Sequence, residues 1–311
     1  KRYTTNNLNR LDYVYWSAPV SGQVFQLFSP NTVARRFYTY NEGTDFFDTV
    51  PNVSTATFTP GVGYAIRVPD NYTSVNNQQY QGSFVGVPNN GTSVTTAVTK
   101  NGNGYNLVGN PYPSNLELDG LTGFYETNKL LINKKFYFWT NHENNPTSLG
   151  SSYSGANYAI WNGSGSVAPG YGNPDTLAPT SSVKVGQGFI VEAKQAGSLI
   201  FNNSMRNAAT SNFVSRIKSV QKDRFWLSLI TPANNSYNNL IAYVEGATDN
   251  LDGDFDAEKL EAPSDDFYSV LGTNKLTIQG RKYPLSSSDV VALGTKLATA
   301  GTYKITLTKT E

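Results

Sequence analysis

The chain has no cysteine, one histidine and one methionine, and its charged residues make up only 15% of 311 positions, against about 25% in an average soluble domain. Lack of cysteine removes disulfides, thiolate metal sites and cysteine nucleophiles together. One histidine without cysteine cannot build the usual zinc ligand set. A serine–histidine–aspartate triad would have to use His142, in the loop Asn141-His142-Glu143-Asn144-Asn145-Pro146, and no Gly-x-Ser-x-Gly elbow presents a serine. His142 therefore reads as a solvated loop residue. A net charge of +1 gives no field that tracks phosphates, which argues against nucleic acid as a partner. No apolar run reaches the roughly 20 residues of a spanning helix, so membrane insertion is not expected.

Polarity comes instead from Asn, Thr, Ser and Gly, and aromatics reach 13%, led by 20 tyrosines. β-Branched and aromatic residues suit a pleated surface, while Asn and Gly suit turns. The composition predicts an all-β chain with very little helix. Its length allows about two or three domains.

One stretch orders the rest. Tyr105-Asn106-Leu107-Val108 runs into the corner Gly109-Asn110-Pro111-Tyr112-Pro113-Ser114, where two prolines without N–H donors halt a ladder. A looser version stands at Trp16-Ser17-Ala18-Pro19-Val20. From each corner the same order of motifs follows. Phe37-Tyr38-Thr39-Tyr40-Asn41 matches Phe136-Tyr137-Phe138-Trp139-Thr140-Asn141. Gly61-Val62-Gly63-Tyr64-Ala65-Ile66-Arg67-Val68 matches Val185-Gly186-Gln187-Gly188-Phe189-Ile190-Val191-Glu192, and Gly82-Ser83-Phe84-Val85 matches Gly197-Ser198-Leu199-Ile200-Phe201. The reading is two related antiparallel β units, residues 1–104 and 105–206, the second with a loop-rich insertion at about 141–182. Two copies are too few for a solenoid, so the pair forms either neighbouring units or one domain.

Ser114-Asn115-Leu116-Glu117 has capping-box spacing and predicts a short helix through Leu121. An aromatic before proline makes Tyr112–Pro113 a candidate cis bond. After a polar linker, residues 213–311 carry strand patterns at Arg224–Ile230, Leu240–Val244, Asp266–Val270, Lys275–Gln279 and Tyr303–Thr308. Strands at this spacing predict an antiparallel sandwich, Ig-like or jelly-roll-like. That sandwich is expected to continue past the chain end, in a longer processed protein.

Three sets of residues are candidate sites. Asp252, Asp254, Asp256 and Glu258 alternate through Asp249-Asn250-Leu251-Asp252-Gly253-Asp254-Phe255-Asp256-Ala257-Glu258 and could converge on Ca²⁺, a hard ion that takes six to eight oxygens. The spacing departs from an EF-hand, and a capped solvated turn explains the same residues. Trp139 and Trp161, with Trp16, could stack on a sugar, although such residues on strands are more often core. Glu117, Asp119, Glu126 and Glu192 are the carboxylates open to glycoside hydrolysis, with no spacing that pairs them. Gly61-Val62-Gly63 and Gly186-Gln187-Gly188 each lead into a strand, unlike phosphate loops, which open helices.

The corner at 109–114, followed by Phe136–Trp139, Tyr158-Ala159-Ile160-Trp161-Asn162-Gly163, Val185–Phe189 and Phe201-Asn202-Asn203-Ser204-Met205-Arg206, resembles large secreted surface proteins of Bacteroidetes, especially flavobacteria, exported by type IX secretion. Leu240–Thr248, Phe255–Leu260 and Leu276–Arg281 extend the resemblance to a region that in the family precedes a C-terminal sorting domain. The resemblance implies an extracellular or cell-surface location, contact with the type IX machinery during export, and adhesion or gliding, with surface glycans or other surface proteins as partners. It carries over no catalytic residue or cofactor. Asp48-Thr49-Val50 and Asp175-Thr176-Leu177 look like that phylum's O-glycosylation acceptor, which would modify Thr49 and Thr176. The expected function is therefore a non-enzymatic stalk or adhesive module. The alternative is a carbohydrate-binding module of a larger secreted enzyme, and a hydrolase ranks last.

Overall fold

A computed structural model describes residues 1–4, 8–72, 78–91, 94–141, 154–170, 178–207, 222–261 and 264–311. The fold is all-β. Among the described residues the α-helices are Phe25–Phe28 and Phe124–Asn128, each barely a turn. Of the described residues, one compact unit takes 1–133 and 181–207, and the other takes 134–141, 154–180 and 222–311. His142, Thr176 and the segment 213–220 lie outside the described residues.

The first unit contains a four-stranded antiparallel sheet in the order Tyr13–Trp16, Tyr64–Arg67, Phe37–Asn41, Phe46–Thr49. Alternation along each strand sends one set of side chains inward. Trp16, Phe37, Tyr64 and Ile66 meet Phe25, Phe28 and Phe58 in a core built largely of rings. Phe25 lies 4.2 Å from Phe58 and 4.7 Å, edge-on, from Tyr64, geometries that add to area burial.

The matched motifs of the two passes meet here. Tyr13–Trp16 pairs with Tyr64–Arg67, and Tyr105–Gly109 pairs with Gly188–Ala193. In register, Trp16 faces Tyr64 as Val108 faces Phe189. Two isolated bridges then exchange partners between the copies, Trp16 with Gln187 and Val62 with Val108. Gly61 and Gly186, which correspond in sequence, hold φ of +79° and +74°, a region L side chains resist. A ladder between Val94–Val98 and Gly197–Phe201 ties the first pass to the second again.

The region after the corner departs from the expected helix. Asn115–Glu117 is a strand between Ser182–Val183 and Arg206–Asn207. The Ser114 hydroxyl accepts from Arg206 Nε at 2.9 Å instead of capping, and Glu117 accepts from Asn207. Long-range partners outcompete a local cap here. Among the described residues the cis peptide bond is Tyr283–Pro284, not Tyr112–Pro113.

In the second unit, residues from 134 of the strand Ile132–Trp139 pair with Tyr158–Asn162, which turns back into Gly165–Val167. The larger sheet runs Ala292–Lys296, Asp266–Leu271, Asn274–Lys282, Ser236–Val244, Lys222–Ile230, Lys304–Thr310, with Ala257–Glu258 also paired to Asn274–Lys282. It curls so that Phe267 packs with Leu229 and Tyr237. The strands read from sequence are present. The parallel pairing of Ser236–Val244 with Asn274–Lys282 was not, because side-chain alternation is the same in parallel and antiparallel strands.

Candidate functional site

The corner that organises the sequence is fully committed to the scaffold. Asn110 and Tyr112 are fully buried. The Asn110 amide donates to the carbonyls of Ser114 (2.7 Å) and Lys184 (3.2 Å), and its oxygen accepts from Tyr112 N–H (2.9 Å). Asn89 donates to the Pro111 carbonyl at 2.9 Å, and the Arg206 guanidinium lies 5.3 Å above the Tyr112 ring. Prolines remove N–H donors from this bend, so an asparagine side chain supplies the missing bonds.

The acidic segment is likewise tied into the fold. Asp252 accepts from Thr248 N–H, and Asp256 accepts from both Asp252 N–H (2.6 Å) and Gly280 N–H (2.8 Å). Asp254 faces Lys134 N–H at 3.4 Å, and Glu258 pairs with Lys135. The four carboxylates are thus turned toward separate protein partners. Among the described residues, no group of three or more His, Asp or Glu could hold a metal ion.

Three buried carboxylates have displaced proton affinities. Burial pushes Asp256 up to about 6, opposed by the N–H groups of Asp252 and Gly280. Burial does the same to Asp12, also to about 6, against one N–H bond from Asn9. Glu42 goes the other way. Burial alone would raise it, but the N–H groups of Asn101, Gly102 and Gly104 and the Thr99 hydroxyl outweigh burial and hold it at about 2. A carboxylate accepting several backbone N–H bonds behaves this way. Glu42 thereby pins the Asn101-Gly102-Asn103-Gly104 turn, where the second pass begins.

The tryptophans do not form a shared platform. Trp161 is 8% exposed and packs on Phe136, their rings 5.6 Å apart. Trp139 is half-buried, edge-on to Tyr158, with its indole N–H on Asn141. Register places Trp139 with Tyr158 and Trp161 with Phe136, hence on opposite faces of the hairpin. Trp16 is core. Of the other candidates, Thr49 is exposed on the edge strand Phe46–Thr49, Glu117 holds Asn207, and Glu126 pairs with Lys129.

The sequence reading missed an aromatic face built by tyrosines. On the four-stranded sheet of the first unit, the side chains opposite the core include Tyr13, Tyr15, Tyr38, Tyr40 and Phe47. Ala65, on the strand between those of Tyr15 and Tyr38, leaves room for rings to lean together. Tyr13 and Tyr38 lie 5.8 Å apart, Tyr40 and Phe47 5.2 Å, and Tyr15 and Phe47 6.0 Å. Tyr13, Tyr38 and Tyr40 are half-buried, and Phe47 is 37% exposed. Arg36 donates to the Tyr38 hydroxyl at 2.9 Å, and the Tyr40 hydroxyl donates to Asp45. The signal was present in the alternation of Tyr13-Val14-Tyr15 and Tyr38-Thr39-Tyr40. Attention to tryptophan hid it.

A family model described as a domain of unknown function (DUF8693) matches residues 1–311. No curated protein and no solved structure matches the chain.

Proposed function

Since the chain belongs to the DUF8693 family of domains of unknown function, we propose from its own residues that it is a non-enzymatic segment of a secreted cell-surface protein. In this reading it is exported by type IX secretion and serves as a stalk or adhesive module. The observation that carries this is the use made of its most distinctive motif. The Gly-Asn-Pro-Tyr-Pro corner spends its asparagine, tyrosine and neighbouring arginine on backbone carbonyls and ring packing, as befits a motif that preserves a scaffold. The acidic segment is spent similarly on Thr248, Gly280 and Lys135. Low charge and polar, amide-rich turns suit a surface that meets many neutral partners.

Beads coated with the chain and tested under flow on polysaccharide films and on intact cells supply the test. Adhesion above that of albumin-coated beads is the expected result. Beads that wash off every surface, or a hydrolase activity abolished by one carboxylate substitution, would overturn the reading.

A further inference from the structure

We propose that the tyrosine face of the first unit's four-stranded sheet is a binding surface for a neutral polysaccharide chain. This deepens the adhesive reading and rests on it for the biological setting, though not for the binding itself. Tyrosine offers an apolar ring for the C–H face of a sugar and a hydroxyl for its rim, with little side-chain entropy to lose. The rings stand on a paired sheet and touch one another at 5.2–6.0 Å, so they are pre-organised by the scaffold.

The chemistry at the rim favours a polyol over the other occupants of an aromatic face. Around the rings stand a guanidinium (Arg36), a carboxylate (Asp45) and an amide–carboxylate pair (Asn41 donating to Asp48 at 2.9 Å). These donors and acceptors, of both signs, match hydroxyl groups, which give and accept hydrogen bonds alike. A nucleic-acid strand would stack on the same rings but needs a positive groove to track its phosphates, and the mixed rim provides none. An apolar protein patch would have to bury the rim charges without replacing their water.

The sheet supplies its own control. Phe46 is 72% exposed on the same edge strand but pairs with Asn41, which puts it on the opposite face from Phe47. The test measures retention of the purified chain on insoluble cellulose, chitin, xylan and mannan, and on soluble neutral glucans and galactans by affinity electrophoresis. Wild type and Phe46→Ala should bind at least one of these alike. Tyr40→Ala combined with Phe47→Ala should weaken that binding at least about tenfold, the equivalent of one or two lost ring contacts. Thermal unfolding and near-ultraviolet circular dichroism check that this variant is folded. Tyr38→Phe, which keeps the ring but loses the hydroxyl partner of Arg36, should give a smaller loss and covers the case in which the double variant misfolds.

Absence of binding to every polysaccharide overturns the proposal. So does a loss in Phe46→Ala equal to that in the double variant, or unchanged binding in both tyrosine-face variants. Bead adhesion separates the two readings. If wild-type and Tyr40→Ala/Phe47→Ala beads adhere equally, the face is wrong and the adhesive module stands. If the chain binds polysaccharide but is found inside cells, the face stands and the surface reading falls.

Discussion

Glu42 shows how one side chain can hold a turn and how its protonation should register in stability. Its carboxylate, buried at the end of a strand, takes three backbone N–H bonds and a hydroxyl. Glu42→Gln places an amide N–H₂ where acceptors are needed, and should cost about 3 kcal/mol at pH 7. Because its folded value of about 2 lies below the ordinary 4.5, the contribution is complete above pH 4.5 and fades as pH falls toward 2. Urea unfolding of wild type and Glu42→Gln at pH 7 and pH 3 should show the gap narrowing in acid. Asp256 has the opposite sign. Its folded value of about 6 lies above the ordinary 3.8, so the stability linked to its protonated form is complete below pH 3.8 and is lost as pH rises through 6. Between pH 4 and 6.5, wild type should lose stability that Asp256→Asn does not. EDTA should leave the Tm unchanged at pH 7, since the carboxylates of the segment already have protein partners.

At the scale of the element, the two passes are a duplicated strand pair, and the glycine that opens each inner strand is its most constrained position. Gly61 and Gly186 share positive φ, but their surroundings differ. A Cβ at Gly61 would meet Thr96 Oγ1 at 2.1 Å, while at Gly186 it would meet the Phe84 ring at 3.1 Å. Both alanine variants should be destabilised by roughly 1–2 kcal/mol from backbone strain, and Gly61→Ala by more, as paired Tm measurements would show. The duplication was legible because strand alternation and glycine position are local signals. The match of Trp16 with Asn110 was two residues out, as the bridges show Trp16 standing where Val108 stands. Loop lengths blur such offsets, and register does not. The Asn115–Glu117 strand was illegible for a different reason. Its partners come from residues 182–183 and 206–207, and no local pattern announces a pairing that distant. The aromatic face needed the sheet order, because Tyr38 and Tyr13 meet across a strand drawn from residues 64–67.

The whole molecule comprises two compact β units, each with its own core. No helix among the described residues is long and apolar enough to cross a membrane. Sequence composition was enough to place the chain in the all-β class, because tyrosine, threonine, asparagine and glycine act through strand and turn preferences everywhere along it. The acidic segment read ambiguously because a row of aspartates has the same spacing whether it holds an ion or the backbone. Only the positions of Thr248, Gly280 and Lys135 show which partners it has. The account's central claim is that this chain works at the cell surface as an adhesive module. An antibody raised against it, applied to intact cells of the source organism before an adhesion assay, tests that claim most directly. The account predicts labelling without permeabilisation and reduced attachment to polysaccharide-coated glass. Labelling that appears only after the cells are opened would contradict it.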